Sequence, residues 1–271
     1  MNSTISILGC GWLGMPLGER LVKSGYTVKG STTREEKIHQ ITEAGMSASV
    51  LRFTPKIEGD LSDLLDSDIL FINIPPGKGD GKPQFYPRLM QNLVPEIEKS
   101  RVNKVIFISA TSIYPQENKT VVEDDAVKII SPHSDTVWLD IEELFINNKQ
   151  FQTTILRFSG LIGGEYQPGR YFSGRELGGA DDPVNMIHRE DCIRITEAII
   201  QKNVFGEIFN ASADKHPSRR ELYTRSCAIM GIEPPIFKGD PRPYRIVNCD
   251  KLKQKLGYEF VYPDPLTALD Q

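Results

Sequence analysis

The chain is poor in the residues that mark several large functional classes. Its 271 residues include only four cysteines, Cys10, Cys192, Cys227 and Cys249, scattered and without a Cys-x-x-Cys pair. Its four histidines are not at ligand spacing, so no metal site is expected and the thiols read as free. No apolar stretch approaches the roughly 20 residues of a membrane span. No internal repeat or low-complexity block stands out. Thirty-two Lys and Arg stand against thirty-six Asp and Glu, a net charge of −4, and no basic run is dense enough to suggest nucleic acid. The first residues already read as a core strand, with no basic leader or cleavage site, so no signal peptide is expected. The expectation is a cytoplasmic protein whose partner is a small molecule, with neither nucleic acid nor membrane involved. The oligomeric state is left open.

What the chain does have comes at once. Ile5-Ser6-Ile7-Leu8 is a short apolar run, followed by Gly9-Cys10-Gly11-Trp12-Leu13-Gly14 and an amphipathic segment through Val22. Strand, glycine turn and helix in that order form the dinucleotide-binding fingerprint in its structural context. Gly9 permits the tight turn, Gly11 clears the backbone for a pyrophosphate, and Gly14 lets helix and strand pack closely. The helix N-terminus then offers unpaired N–H groups to the phosphates.

Apolar runs and helical patterns alternate from there. Tyr26–Gly30, Ala48–Arg52, Asp68–Asn73, Lys104–Ser109 and Thr153–Arg157 read as further strands. Arg34–Ala44, Gln84–Ser100 and Thr136–Asn147 read as helices between them. Strands separated by helices imply right-handed parallel crossovers, hence an α/β fold with a doubly wound Rossmann-type sheet. We expect a dinucleotide-binding domain over residues 1–160, completed by 185–211. A small C-terminal substrate lobe is expected from 161–184 and 212–271.

Four later segments resemble the NAD-dependent epimerase/dehydratase family, the extended short-chain dehydrogenases/reductases. Ser109-Ala110-Thr111-Ser112-Ile113-Tyr114 is similar to their Ser-Ser-x-x-Val-Tyr-Gly stretch. Ile155-Leu156-Arg157-Phe158 leading to Gly160, then Pro168-Gly169-Arg170, resembles their Leu-Arg…Gly-Pro-Gly segment. Asn185–Asp191 resembles their Ile-His-x-x-Asp motif, in which His188 has a structural hydrogen-bonding role. Gly206–Ser212 is similar to their Gly-x-x-Tyr-Asn strand. The resemblance spans nearly the whole chain in the right order.

The chain departs from that pattern where the chemistry lies, as the atypical branch of the family does. No tyrosine is followed four residues later by lysine, and Ala110 stands where the family carries a catalytic Ser or Thr. Hydride transfer at a carbonyl needs a proton donor at the oxygen, and losing a positioned one costs about 10²–10⁴-fold in rate. Tyr114 is the expected substitute, assisted by Ser112 or Thr111, with His133, Asp135, Tyr166 and Tyr171 as other candidates. Tyr166, Arg170, Tyr171 and Arg175 are expected to meet the substrate, and Arg219 could meet an anionic one. The place of the acidic residue that would bind the 2′-hydroxyl of NAD holds Ser31-Thr32-Thr33-Arg34. Hydroxyls and a guanidinium suit a phosphate, so NADP is expected, with NAD the alternative. The cofactor is expected to lie on Gly9, Gly11, Trp12, Leu13, Gly14, these four residues, and Pro75 and Pro76. The resemblance thus implies an NAD(P)-dependent oxidoreductase or epimerase/dehydratase-like protein acting on a small polar substrate, sugar-derived ones included. The alternative is a catalytically impaired NAD(P)-binding regulator or sensor on the same fold.

Overall fold

A computed structural model describes residues 3–53, 57–76, 82–128 and 137–271. Seven strands form one parallel sheet: β1 (Thr4–Leu8), β2 (Thr27–Thr32), β3 (Ser47–Val50), β4 (Ile69–Ile72), β5 (Lys104–Ala110), β6 (Gln152–Phe158) and β7 (Ile208–Ala211). Their spatial order is 3-2-1-4-5-6-7, which reverses direction between β1 and β4. That reversal opens a crevice at the carboxyl ends of the strands, where ligands of such sheets bind. The doubly wound Rossmann-type sheet expected from the alternation is the one that forms.

The strand sequences follow from their places in the sheet. All four residues of β4 are buried, as are the last four of β1, so both read as continuous apolar runs rather than alternating ones. The strand expected over Tyr26–Gly30 instead runs on to Thr32. Its polar end is held by neighbours on both sides, with Ser31 beside Ser49, Thr32 beside Val50, and the Cys10 N–H donating to the Ser31 carbonyl at 2.7 Å. The helix expected from Arg34 opens as a 3-10 turn, Glu35–Lys37, and becomes α-helical only over Ile38–Glu43. The helix expected over Thr136–Asn147 is described from Val137 to Ile146.

The chain divides into two compact units. The first comprises Met1–Ser109, Val137–Leu156 and Ile199–Ile208, the second Ala110–Thr136, Arg157–Ala198 and Phe209–Gln271. The segments after β5 and β6 group with the later chain. Leu70, Phe107, Phe145 and Ile155 belong to the core of the first unit, with Phe107 and Phe145 stacked at 4.9 Å. Ile162, Leu222, Tyr223 and Leu269 belong to a smaller core in the second. No helix among the described residues is long and apolar enough to cross a membrane.

The helix over Arg189–Lys202, whose residues up to Ala198 belong to the second unit, begins with a buried carboxylate. Asp191 accepts hydrogen bonds from the Tyr258 hydroxyl at 2.7 Å, the Val261 N–H at 2.8 Å and the Tyr262 N–H at 3.0 Å. This one side chain ties the C-terminal segment to the helix. His188, three residues earlier, accepts from the Glu190 N–H through Nδ1, and its ring packs 4.0 Å from that of Tyr262. The structural reading of His188 agrees with this packing.

Candidate active site

The first part of the site is the turn after β1, in the first unit. Gly9 has φ +110°, and a Cβ there would lie 2.8 Å from the Asn73 carbonyl oxygen. At Gly14 a Cβ would overlap the Gly9 carbonyl, so both positions need glycine to fold. Gly11 is different, because a Cβ there would meet nothing within 4 Å. Open space above a backbone glycine is what an approaching phosphate requires. The helix that follows, Gly14–Lys23, has Leu13 at its N-cap and no side-chain cap. Pro16 sits in its first turn, where a missing N–H costs no intrahelical bond. The Met15 N–H donates to the Gly11 carbonyl at 3.0 Å and the Leu17 N–H to the Leu13 carbonyl at 3.2 Å, so what this end offers an anion is chiefly the positive end of the helix dipole.

A cavity of about 180 Å³ adjoins the turn. Gly9, Gly11, Ser31, Thr32, Thr33, Arg34, Asn73 and Pro75 line it, together with Lys37 and Phe53. Trp12, Leu13, Gly14 and Pro76 do not. Leu13 is buried in the core instead, and Gly14 serves the packing of the turn. Two of the three hydroxyls expected to meet a phosphate already have local tasks. Ser31, wholly buried, accepts the Gly9 N–H at 3.1 Å, and Thr32 accepts the Arg34 N–H at 3.2 Å. Both position the loop. The direct charges are the exposed guanidinium of Arg34, 3.7 Å from Glu36, and the ammonium of Lys37. Sequence reasoning missed Lys37, although it lies three residues after Arg34, one turn of the 3-10 segment.

The second part is a cavity of about 420 Å³ within the second unit. Thr111 and Ser112, which follow β5, line it, and so do Ser159, Asp182, Tyr223 and Tyr244. Three guanidinium groups, those of Arg219, Arg242 and Arg245, face it against the single carboxylate of Asp182. Asp182 accepts the backbone N–H of Arg242 at 2.8 Å. The Nε–H groups of Arg219 and Arg245 are buried and have no hydrogen-bond partner among the described residues. Burial depresses the pKa of Arg245, which also donates from Nη1 to the Tyr114 carbonyl at 2.8 Å. Three arginines against one carboxylate give the lining a net positive charge.

Tyr114 does not line this cavity. Its side chain is wholly buried, donating to Asn210 Oδ1 at 2.6 Å and accepting from Arg157 Nη1 at 2.7 Å. Glu123 completes the cluster, its carbonyl accepting from Arg157 and its carboxylate from the Asn210 N–H. Burial drives the pKa of the phenol upward, and Arg157 only partly offsets this. The expectation that Tyr114 donates a proton to substrate is thereby corrected, since its hydroxyl is committed on both sides within the core. Tyr114→Phe is expected to cost about 1.5–3 kcal/mol of stability, the usual value of hydrogen bonds to charged groups. Chemical denaturation measures that loss, and any turnover should persist in the folded variant.

Tyr166, Arg170, Tyr171 and Arg175 are exposed and do not line the cavity, Arg175 donating to the Tyr171 carbonyl at 3.1 Å. His133 and Asp135 lie outside the described residues. The residues that sequence reasoning passed over are Tyr223, Arg242, Tyr244 and Arg245. One signal was available for Tyr223. Ser218 and Glu221 form a reciprocal capping box, which fixes the start of helix Arg219–Met230 and puts Arg219 and Tyr223 on one face.

No protein-family model matches the chain. Protein YeeZ of Escherichia coli strain K12 is 33% identical over 267 residues, covering 97% of each chain. Among solved structures, UDP-glucuronic acid 4-epimerase from Bacillus cereus in complex with NAD is similar with a TM-score of 0.77 and 23% identity, covering 98% of this chain and 96% of that one. A short-chain dehydrogenase/reductase superfamily protein from Agrobacterium tumefaciens with bound NAD has a TM-score of 0.78 and 17% identity, covering 98% and 95%. The chain belongs to the family of protein YeeZ and has the extended short-chain dehydrogenase/reductase fold of the NAD-dependent epimerases.

Proposed function

We propose that this protein is a nicotinamide-dinucleotide-dependent oxidoreductase or epimerase-type enzyme that prefers NADP and acts on a small polar anion. The observation that carries the reading is the arginine-lined cavity of about 420 Å³, with hydroxyl groups among its walls. A protein that only senses a dinucleotide has no use for a second such cavity. Neighbouring folds crystallised with NAD support the nicotinamide dinucleotide as the cofactor class.

The residues after β1 fit that group. The open space at Gly11 and the positive end of the following helix would take the pyrophosphate, and Arg34 with Lys37 would take a 2′-phosphate. When bound, the cofactor supplies or accepts a hydride. The chain's own tasks are to orient it and to hold the substrate anion.

Calorimetry with NADP and NAD tests the preference. Arg34→Ala is expected to weaken NADP by about 1.5–3 kcal/mol while NAD barely responds. Equal losses for both would make Arg34 structural, and tighter binding of NAD by the parent would reverse the preference. For the substrate, Arg242→Ala should weaken inorganic pyrophosphate binding in the second unit, and unchanged affinity would remove the anion from the proposal.

A further inference from the structure

Tyr223 contributes its ring to the core of the second unit, but its phenol hydroxyl has no task there. It is 7% exposed, and no described residue shares a hydrogen bond with its hydroxyl, although it lines the cavity of the second unit. Two neighbours hold its ring. Phe172 stacks on it at 4.3 Å, and the guanidinium of Arg219 lies 5.4 Å from its centroid. Position 223 is one helical turn after Arg219, so the two travel together on one rigid helix.

Burial raises the Tyr223 phenol above its ordinary value, and Arg219 on the same helix and Arg242 from the chain before Arg245–Val247 offset this only in part, so the hydroxyl keeps its proton at neutral pH. Arg245 and Asp182 are the other charged groups on the cavity wall. A cation beside a phenol is the arrangement that the family's Tyr-x-x-x-Lys pair supplies, and this chain has no such pair. Here the spacing is also four, but the order is inverted and the cation is arginine.

We propose that Tyr223, steadied by Arg219, is the residue that gives a proton to the carbonyl oxygen of the bound anionic substrate. This inference rests on reading the chain as an oxidoreductase. In the reducing direction the carbonyl carbon gains a hydride from the reduced nicotinamide dinucleotide. The carbonyl π pair passes to oxygen, which takes the phenolic proton, and the phenolate recovers one from solvent. Atoms and charges balance, with an alcohol and the oxidised dinucleotide as products.

The test combines turnover with a spectroscopic readout. Wild type is assayed with NADPH and NADH on 2-oxo acids, ketose phosphates and nucleoside-diphosphate 4-keto sugars. On any substrate it reduces, Tyr223→Phe should lower kcat by about 10²–10⁴-fold and leave KM within about threefold. In protein carrying 3-fluorotyrosine, the fluorine resonance missing from Tyr223→Phe should shift when inorganic pyrophosphate is added to wild type. Full activity in Tyr223→Phe, or a comparable collapse in Tyr244→Phe alone, would overturn the assignment while the oxidoreductase reading stands. An unmoved fluorine resonance at saturating pyrophosphate would also overturn it. Wild type idle on every substrate would sink the oxidoreductase reading, and this inference with it.

Discussion

Gly11→Val should abolish dinucleotide binding and leave the melting temperature within about 2 °C of the parent, as for a substitution that meets no neighbour. Nothing lies within 4 Å of a Cβ at that position, and Gly11 is not among the positive-φ residues, so valine has room and no backbone strain. The branched side chain would instead occupy the space a pyrophosphate needs. Gly14→Val supplies the contrast, because its Cβ would overlap the Gly9 carbonyl and spread the turn. Calorimetry and a thermal melt on the two variants separate a ligand-facing glycine from a packing one. Undiminished dinucleotide affinity in Gly11→Val would move the cofactor away from this turn.

Asp191→Ala should be the most damaging substitution in the second unit. It removes the buried acceptor of three part-buried hydrogen bonds, from Tyr258, Val261 and Tyr262. Each hydrogen bond to a charged group contributes about 1.5–3 kcal/mol when buried, and partial access to water reduces that, so a total loss of ~3 kcal/mol is expected. Asp191→Asn keeps one carbonyl oxygen as acceptor and should lose less. Urea denaturation with the slope held constant measures both losses. A loss below about 1 kcal/mol for Asp191→Ala would mean that water or a rearranged C-terminal segment replaces the carboxylate.

The sheet and the turn were legible because their determinants are local. Ile69–Ile72 is an apolar run too short for a helix and bounded by Asp68 and Asn73, and it could be little else than a buried strand. Gly9, Gly11 and Gly14 carry their spacing within six residues. The polar end of β2 was harder to see, since Ser31 and Thr32 are held in strand form by neighbours elsewhere in the chain. Tyr114 was misread for the same reason. Its hydroxyl partners, Arg157 and Asn210, lie 43 and 96 positions away, and no local pattern announces that a phenol is already satisfied. The cavity was the least legible part. Its three arginines come from a helix start, the loop around residue 242 and the first residue of strand Arg245–Val247, and only folding brings them together with Thr111 and Ser112.

The four cysteines are all free and buried. Cys10 sits inside the glycine turn, 4% exposed, and burial pushes its thiol up to about 12. Cys249, in the other unit, is shielded to a similar degree, its thiol also raised to about 12. Neither is a nucleophile in the closed chain at neutral pH. Alkylation of Cys10 therefore reports how often the turn opens, with Cys249 as an internal clock for the second unit. A dinucleotide seated in the turn would slow labelling of Cys10 and leave Cys249 at its former pace. The chain thus carries its own footprinting probe for occupancy, readable by mass spectrometry before any substrate is known.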